Sequence, residues 1–360
     1  MISAGIYLHI PFCVKKCPYC DFYSLPYSEP LKDRYVAALL RDINSVEGRP
    51  AADSVYFGGG TPSLLDPADF SAILSDISEK FTLSPESEIT AELNPGDASP
   101  GFLSAVRAAG INRLSVGVQS LCDDRLRLLG RRHTADQARH TIAAAFAAGF
   151  NNISADIMIA LPGQTADDAA ADADGILALG VQHLSAYILN TEHSGVFWKQ
   201  PLSLPGDDEA ADIYLAVCGR ARERGLCHYE ISNFCQPGFE SRHNLKYWRC
   251  HDYYAFGAAA AGCLSGRRYR YPSDTEKYIE GCPPVFDGEV TAADYIICTL
   301  RTSAGLDTEI LKSDFGADLK AREALIDGYI AAGYMSRHGS VLSLTERGFL
   351  VSNSILSHLI

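Results

Sequence analysis

The sequence has few basic residues for its number of acidic ones. It contains 31 Lys and Arg against 44 Asp and Glu, a formal net charge of −13 at pH 7 with His neutral. Binding to nucleic acid requires a basic surface that neutralises phosphates. We therefore expect no nucleic acid among the partners of this protein.

Long apolar runs are also missing. No stretch of about 18 consecutive apolar residues occurs, so hydropathy predicts no transmembrane segment. The opening residues MISAGIYLHIPFC lack the charged region, long apolar region and cleavage site of a signal peptide. These absences together predict a cytoplasmic protein.

Repeats of fixed period and low-complexity tracts are absent as well. With 47% hydrophobic and 21% charged residues, the composition excludes an intrinsically disordered chain. A length of 360 residues is enough for one large domain with a small second one, or for two domains of middle size.

Cysteine, in contrast, is abundant. Thiols in the cytoplasm stay reduced, so the eleven cysteines do not predict a disulfide framework. Most of them are scattered, and we interpret those as small core or surface residues. Cys13, Cys17 and Cys20 differ, because they follow one another in a C-x3-C-x2-C spacing directly after the first predicted strand.

The first half of the chain alternates short apolar runs with longer helical stretches, which is typical of βα units around a parallel sheet. Such units form either an open sheet or a partial barrel, and periodicity does not separate the two. The predicted strands are Gly5–Ile10, Ser54–Phe57, Glu88–Leu93, Arg113–Val118, Asn152–Met158 and His183–Ile188, and the predicted helices include Leu31–Val46, Pro67–Phe81, Pro100–Ala109, Ala135–Ala148 and Ala166–Leu179.

The alternation ends after Tyr187. A predicted helix at Asp208–Gly225 and a predicted strand at His228–Phe234 extend the first domain, which we place at residues 1–288. Residues 289–360 predict a small α+β module of winged-helix type, with helices at Ala292–Thr302 and Asp318–Ala331 and a hairpin turn at His338-Gly339. Many winged helices bind DNA, but the acidity of the chain favours a packing or docking module.

The cysteine spacing indicates an iron–sulfur cluster with an open iron. A zinc site usually takes four ligands in two C-x2-C pairs, and two-cluster ferredoxins use C-x2-C-x2-C with a distant fourth Cys. Neither pattern fits HIPFCVKKCPYCDFYS. Three thiolates can hold three irons of a cubane and leave the fourth for a chelating small molecule.

This spacing, with the aromatic Tyr19 before the last Cys, resembles the radical S-adenosylmethionine (SAM) superfamily. The resemblance implies a partial (β/α)6 barrel in which Cys13, Cys17 and Cys20 hold a [4Fe-4S] cluster and SAM chelates the open iron. It also implies that the GGGTP run at Gly58–Pro62, with Gly59, Gly60 and Thr61, approaches the methionine amino group of SAM. Taken alone, GGGTP predicts only a turn.

Further polar residues stand where predicted strands end or shortly after. Glu92, Gln119, Arg131 and Asp156 match SAM-contacting positions in the HemN and HemW branch of the superfamily, and Tyr7 matches another. The resemblance therefore implies that they bind SAM. Polar residues at strand ends are also common as helix caps, which is the structural alternative for each.

Within this branch the sequence looks like the HemW-type haem chaperones. HemN-type coproporphyrinogen III dehydrogenases carry a fourth Cys two residues after the third, where this chain has Phe22. The segment HNLKYW resembles a motif associated with haem binding, which implies His243 as the axial ligand. The residues alone leave a structural strand or turn as the alternative for HNLKYW, and His228, His251 and Cys250 as other ligands.

Two places depart from the family pattern. In GAAAAGCLSG, Cys263-Leu264 replaces a small residue and His, and Ile188 stands where relatives often have Gln after the Tyr. Both departures concern the side of the site where the resemblance places the porphyrin.

The motifs leave three candidate functions for this protein. The favoured one is a haem chaperone that binds haem and passes it to an acceptor apoprotein, with a cluster and exchangeable SAM. The second is a coproporphyrinogen III dehydrogenase-type radical SAM enzyme, and the third is a radical enzyme for an unrelated substrate. Whether SAM is cleaved is open, and an electron donor such as flavodoxin or ferredoxin is a possible partner.

Overall fold

The structure is a computed structural model that describes residues 3–191, 196–197, 199 and 202–360. Within those residues, the strands are β1 (Ala4–Ile10), β2 (Phe12–Cys13), β3 (Leu25–Pro26), β4 (Ala51–Gly59), β5 (Thr82–Leu93), β6 (Arg113–Gln119), β7 (Ile153–Ile159), β8 (His183–Ile188), β9 (Cys227–Glu230), β10 (Asn233–Cys235), β11 (Tyr253–Phe256), β12 (Ala261–Leu264), β13 (Arg267–Arg270), β14 (Val285–Glu289), β15 (Leu306–Asp307), β16 (Met335–His338) and β17 (Val341–Leu344).

The helices lie between these strands and after them. They are α1 (Glu29–Asn44), α2 (Pro67–Lys80), α3 (Pro100–Ala109), α4 (Asp123–Leu128), α5 (Ala135–Ala147), α6 (Ala166–Leu177), α7 (Asp207–Glu223), α8 (Arg242–Trp248), α9 (Thr275–Ile279), α10 (Ala292–Leu300), α11 (Thr308–Phe315), α12 (Glu323–Ala331), α13 (Glu346–Leu350) and α14 (Ser352–Leu359). None of these helices combines the length and apolarity needed to cross a membrane. A cytoplasmic location stays a prediction.

One large sheet forms the barrel. Its strand order is β14-β13-β12-β11-β1-β4-β5-β6-β7-β8-β10-β9, and the strands from β11 to β8 in that order run parallel. Helices α1, α2, α3, α5 and α6 connect the six strands that the sequence predicts. The βα prediction is confirmed, and the sheet has the partial (β/α)6 barrel arrangement that the sequence resemblance implies.

The strands alternate between an apolar and a polar face. On β1, Ile6, Leu8 and Ile10 are fully buried in the core beneath the surrounding helices. The intervening residues point into the barrel, where neighbouring strands contribute serines, carboxyl groups and an arginine. A barrel with a polar interior is suited to holding a polar ligand rather than to packing an apolar core.

Local sequence explains where the helices begin. Helix α2 starts at Pro67 after Asp66, and Asp69 accepts a hydrogen bond from the Asp66 N–H, which forms a capping box. Helix α5 has the same device, with Thr134 and Gln137 as the pair. These caps satisfy backbone N–H groups that a helix leaves without partners at its first turn.

Some predicted elements were wrong in their details. The predicted strand His228–Phe234 is two strands, β9 and β10, joined by a tight turn and paired antiparallel. HNLKYW is helix α8 and not a strand or turn, because Ser241 caps it and the Glu88 carboxylate accepts hydrogen bonds from two N–H groups of its first turn. Helix α4 was not predicted from the sequence.

A second core belongs to the C-terminal residues. Its buried residues run from Tyr295 to Leu359 and include the hairpin β16–β17, which turns at Gly339 as predicted. The predicted helix Asp318–Ala331 is a short 3-10 turn followed by α12. The division at residues 288 and 289 stays a prediction.

The two cores meet along the β9–β10 edge of the sheet. The Ser303 N–H donates to the Tyr229 carbonyl at 2.9 Å, and the Ile231 N–H donates to the Arg301 carbonyl at 2.9 Å. Arg222 of α7 also pairs with Glu346 of α13. The C-terminal residues are therefore attached to the barrel by backbone hydrogen bonds and an ion pair.

Candidate cluster and cofactor site

A cavity of about 380 Å³ opens at the carboxyl ends of the parallel strands, a volume within the range of about 300–1,000 Å³ usual for small-molecule sites. The structure brings most of the predicted site residues to it. Those lining the cavity are Cys13, Cys17, Tyr19, Cys20, Phe22, Gly59, Gly60, Thr61, Glu92, Gln119, Arg131 and Asp156. Tyr7 and His243 do not line it.

The three cysteines lie on the loop that leaves β1 and returns through β3. The Cys20 N–H donates to the Cys17 carbonyl at 3.1 Å, which makes a turn between them. Thr61 Oγ1 lies 3.5 Å from Cys13 Sγ, and Arg131 Nη1 lies 3.6 Å from Cys17 Sγ. Donors next to the sulfurs stabilise thiolates, which is the form that binds iron.

The separation of these thiols fits a cluster better than a single ion. Among the described residues, the Cys, His and carboxylate group whose ligand atoms are close enough to share one ion lies elsewhere in the fold. In a cubane each iron takes its own thiolate, so the sulfurs need not approach one another closely. The loop therefore fits a cluster that faces the cavity.

The glycines of the GGGTP run are required by the protein itself. Gly59 has φ of 108°, and a Cβ there would lie 2.6 Å from the His9 ring. The Gly60 N–H donates to the Ile10 carbonyl at 2.8 Å, so this donor is not free for a ligand. Thr61 accepts a hydrogen bond from Asn94 Nδ2 at 3.1 Å. The run holds the end of β4 against β1 and the cysteine loop.

Gly60→Ala is expected to destabilise the protein by about 1–3 kcal/mol, since the new Cβ would lie 2.7 Å from the Phe12 carbonyl oxygen and 2.9 Å from that of Ile10. Gly219→Ala is the matched control, because no atom of the described residues lies within 4 Å of a Cβ there and the residue is inside helix α7. It should stabilise by about 0.5–1 kcal/mol. Urea unfolding measures both, and equal effects would contradict this account.

Glu92 is a buried carboxyl at the cavity wall. Tyr56 donates its O–H to Glu92 Oε1 at 2.8 Å. Burial raises the pKa of Glu92 to about 7, and the hydrogen bond from Tyr56 opposes that rise. Near neutral pH this carboxyl is therefore poised to ionise when a donor or a cation binds beside it.

Asp156 occupies the next part of the wall. Ser115 Oγ donates to Asp156 Oδ2 at 3.0 Å, and Ser154 Oγ lies 3.2 Å from Oδ1. Burial raises the pKa of Asp156, and hydrogen bonds from Ser185 and Ser115 act against burial. Glu92 on β5 and Asp156 on β7 are separated by β6, and both carboxyl groups line the cavity, where they can accept hydrogen bonds from hydroxyls of one ligand.

Arg131 is one of the positively charged residues that line the cavity. Its guanidinium donates to the Gly117 carbonyl at 2.8 Å and to Asn94 Oδ1, and it also faces Cys17. Gln119 ends β6 with φ of 67°, a left-handed conformation that turns its side chain toward the cavity. Arg131 is positioned to pair with an anionic group beside the cluster loop.

Tyr19 and Phe22 flank the last cysteine differently. The Tyr19 side chain is partly buried beside Arg131 and Cys17, and burial raises its pKa. Phe22 is 62% exposed at the mouth of the cavity. Ile188 and Cys263, the departures from the family pattern, do not line this cavity.

Sequence reasoning missed the deeper wall of the cavity. Arg113, Ser115, His183 and Ser185 line it from β6 and β8, and Asn244 closes it from α8. The signal was present, because the strand residues share the period of two that places Asp156 inside the barrel. Asn244 carried no such signal, since it reaches the cavity through a helix that folds back from a distant part of the chain.

Tyr7 and His243 lie together beneath the cavity. Tyr7 donates its O–H to His9 Nδ1 at 3.0 Å, and its ring stacks with that of His243 at 6.3 Å between centroids. His243 is fully buried, with Nδ1 3.1 Å from Ser54 Oγ and Nε2 2.7 Å from Tyr247 Oη. Both ring nitrogens are therefore engaged, and neither is free for iron in this conformation.

The environment of His243 keeps its ring neutral. Burial lowers the pKa of His243 to about 3, and the positive charges of Lys246 and Arg113 lower it further. In this conformation the imidazole packs inside the barrel against Ser54 and Tyr247. Haem ligation by His243 stays a prediction that requires the ring to leave Ser54 and Tyr247.

His243→Ala is expected to destabilise the haem-free protein by about 3 kcal/mol, because it leaves a cavity and removes the partner of Ser54. His338→Ala, in the exposed hairpin, should change stability by less than about 0.5 kcal/mol. Denaturant unfolding without haem measures both. An unchanged stability of the His243 variant would contradict the structural role.

Comparisons with known proteins agree with this geometry. Residues 7–174 match the radical SAM superfamily, and residues 288–351 match the HemN C-terminal domain. The chain is similar in structure to coproporphyrinogen III oxidase (HemN) from Escherichia coli, with a TM-score of 0.83, 21% identity, and coverage of 99% of this chain and 90% of that one. At that identity the likeness shows the fold alone.

Proteins of similar sequence identify the family within this superfamily. The "Heme chaperone HemW" of Lactococcus lactis is 32% identical over 97% of this chain and 95% of its own length. The protein of the same name from Bacillus subtilis is 34% identical over 97% of both chains. Because this similarity extends along nearly the whole chain and both matched domains are in place, the chain belongs to the HemW family of the radical SAM superfamily.

Proposed function

We propose that this protein is a haem chaperone, which binds haem and transfers it to an acceptor apoprotein. Relatives named as haem chaperones, similar over nearly the full chain, support the proposal. The proposed binding of a cluster and SAM is supported by the cavity, where three thiols lie together with the residues that the sequence resemblance assigns to SAM binding. The proposal specifies the acceptor only as an apoprotein that takes up haem.

The residues present fit a [4Fe-4S] cluster with SAM on its open iron. Cys13, Cys17 and Cys20 would hold three irons, and the cavity leaves room for a chelating ligand beside them. When bound, the cluster would supply a single electron. It would receive that electron from an external donor such as flavodoxin or ferredoxin.

The chain's own residues orient and enclose SAM in this proposal. Glu92 and Asp156 would accept hydrogen bonds from donors of the ligand, and Arg131 would pair with its carboxylate. Thr61 and Asn94 form a hydrogen-bonded pair beside Cys13 at the same end of the cavity. The buried wall keeps water from the ligand, which strengthens each of these interactions.

The second candidate function is decarboxylation of a coproporphyrinogen. The fold is shared with HemN, but this likeness by itself carries no activity. Position 22 favours the chaperone, because an exposed phenylalanine stands there instead of a fourth thiol. An exposed aromatic ring at the mouth of the cavity also offers an apolar surface to a flat ligand.

One experiment separates these functions. Anaerobic, cluster-loaded protein is titrated with haem while the Soret band is recorded, and in parallel receives coproporphyrinogen III with SAM and a reductant. The chaperone proposal expects stoichiometric haem binding without porphyrin turnover. Formation of protoporphyrinogen would make the protein an enzyme, and absence of both would leave a radical SAM protein for another substrate.

A further inference from the structure

A second group of ligand-type side chains lies outside the cavity, at the junction of the barrel and the C-terminal core. Cys218 is on α7, His228 on β9 and Glu346 at the start of α13. Their ligand atoms all lie within 4.8 Å of one another. The proposed haem and SAM functions make no use of these residues.

The hydrogen bonds of His228 fix which ring nitrogen carries the proton. Tyr214 donates its O–H to the Ile231 carbonyl at 2.7 Å, so its oxygen can only accept from His228 Nε2, which lies 3.2 Å away. The same Nε2 lies 3.4 Å from the Ile231 carbonyl oxygen, another acceptor. Nε2 therefore holds the proton, and Nδ1 presents a lone pair.

Within the part of the chain that the structure describes, that lone pair has no hydrogen-bond partner. His228 Nδ1 is buried, and it faces Glu346 Oε1 at 3.9 Å. Arg222 binds the other oxygen of Glu346 and so fixes the carboxylate toward the ring. The buried Nδ1 of His228 and the partly exposed carboxylate of Glu346 are two acceptors that face each other with the Cys218 thiol beside them, an arrangement that suits a cation between them.

The surroundings leave access for a further ligand. A cavity of about 340 Å³ borders the group and is lined by Cys218, His228 and Glu346 together with Arg222 and Ser303. The rings of Phe234 and Phe349 pack against His228 at 4.2 Å and 5.0 Å between centroids and hold it in place. A water molecule from this cavity can take a fourth position.

We propose that Cys218 Sγ, His228 Nδ1 and Glu346 Oε1 bind a divalent ion of the Zn²⁺ class. Thiolate, imidazole and carboxylate are the three ligand types of zinc, and water completes the tetrahedral set. On binding, the Cys218 thiol releases one proton, so that two negative ligands balance the charge of the ion. Ligand bonds of about 2.0–2.3 Å require only a small approach of the ligand atoms.

The second coordination sphere already has the expected form. Metal-binding histidines usually donate their other N–H to an oxygen, as His228 Nε2 does here, and a metal-binding carboxylate is usually held by a donor, as Arg222 holds Glu346. The ion would connect α7 and β9 of the barrel to α13 of the C-terminal core. It would therefore stabilise the junction between the two.

The test uses the full chain with its iron–sulfur cluster loaded, so that the cluster thiols are occupied. The protein is dialysed against a buffer that holds free Zn²⁺ in the nanomolar range, and zinc per chain is measured by elemental analysis. X-ray absorption at the zinc edge then reports the ligands without interference from iron. We expect one zinc per chain with a single sulfur and otherwise nitrogen or oxygen donors.

Two variants and a control complete the test. Cys218→Ser and Glu346→Gln should each lower zinc affinity by more than the roughly 10–100-fold that loss of a supporting residue costs, with the iron content unchanged. Cys122→Ser, at a partly buried cysteine that belongs to neither ligand group, should bind zinc as the unaltered protein does. Circular dichroism confirms that the variants are folded.

The X-ray absorption spectrum of the unaltered protein at the zinc edge tests the proposal even if a variant fails to fold. No bound zinc, or a zinc shell without sulfur, would overturn the proposal. A shell with three sulfurs would overturn it too, since the ion would then occupy Cys13, Cys17 and Cys20.

Discussion

Cys17→Ala is expected to remove the iron–sulfur cluster almost completely while leaving the protein folded. Among the described residues, three cysteine side chains face the cavity, so losing one leaves two, too few to hold a cubane with an open iron. Cys17 is also the thiol that Arg131 contacts, so its loss leaves that guanidinium without its sulfur partner. Iron and sulfide analysis after anaerobic reconstitution, with the visible absorbance of the cluster, measures the effect.

Stability provides the contrast in this experiment. Cys17 is only partly buried and lies outside the hydrophobic cores, so we expect the unfolding free energy of the cluster-free protein to change by less than about 1 kcal/mol. Cys122→Ala is the matched control, because Cys122 is also partly buried but contributes no ligand. A Cys17 variant that keeps a full complement of iron would refute the ligand assignment.

Glu92→Gln is expected to raise the stability of the SAM-free protein and to lower its affinity for SAM. The folded pKa of Glu92 is about 7, above its ordinary value of 4.5, so the folded protein favours the protonated form. Ionisation of Glu92 therefore costs no stability below about pH 4.5, and the cost grows until it is complete above pH 7. A difference of this size corresponds to about 3 kcal/mol.

The neutral glutamine avoids that cost at every pH. We expect Glu92→Gln to stabilise the SAM-free protein by up to about 3 kcal/mol at pH 8 and to have little effect at pH 4.5. The Tyr56 hydroxyl can accept from the new amide as well as donate to it, so this contact is retained. Denaturant unfolding across this pH range measures the difference between the two proteins.

SAM affinity should change in the opposite direction. If the ionised carboxylate accepts hydrogen bonds from SAM, its replacement costs about 1.5–3 kcal/mol, or roughly ten- to hundredfold in Kd. In the unaltered protein, Kd should also rise as pH falls below 7, because protonation removes an acceptor. Equilibrium binding of SAM to cluster-loaded protein measures both effects.

Glu230 supplies the control for this prediction. Burial raises its pKa to about 7 as well, but it lies outside the cavity and accepts hydrogen bonds from Ser232 and Asn233. Glu230→Gln should leave SAM affinity unchanged. Equal losses of affinity in the two variants would mean that the effect of Glu92 is a general loss of structure.

Much of the site follows from local sequence. The C-x3-C-x2-C spacing puts three thiols on one loop, since neighbours along a short loop must stay close in any fold. The alternation of apolar and polar residues determines that Glu92 and Asp156 face the interior, because side chains of a strand alternate between its faces. The parallel strands then bring their carboxyl ends to one rim, as the sequence predicts.

The positions of other site residues depend on tertiary packing. His243 looks like a ligand in its motif, yet Glu88 of β5 anchors the start of α8 and turns the ring toward Ser54 inside the barrel. No local pattern contains that information, because Glu88 and His243 are far apart in sequence and their contact depends on how the barrel is filled.

The sequence by itself determined the βα order, the cluster loop and the polar face of each strand, because these depend on spacing and periodicity over short distances. Only the tertiary structure decided that Asn244 reaches the cavity, and that Cys218, His228 and Glu346 meet at one point. The physical reason is that such contacts join distant segments, so their formation depends on the packing of the whole chain and on no short pattern within it.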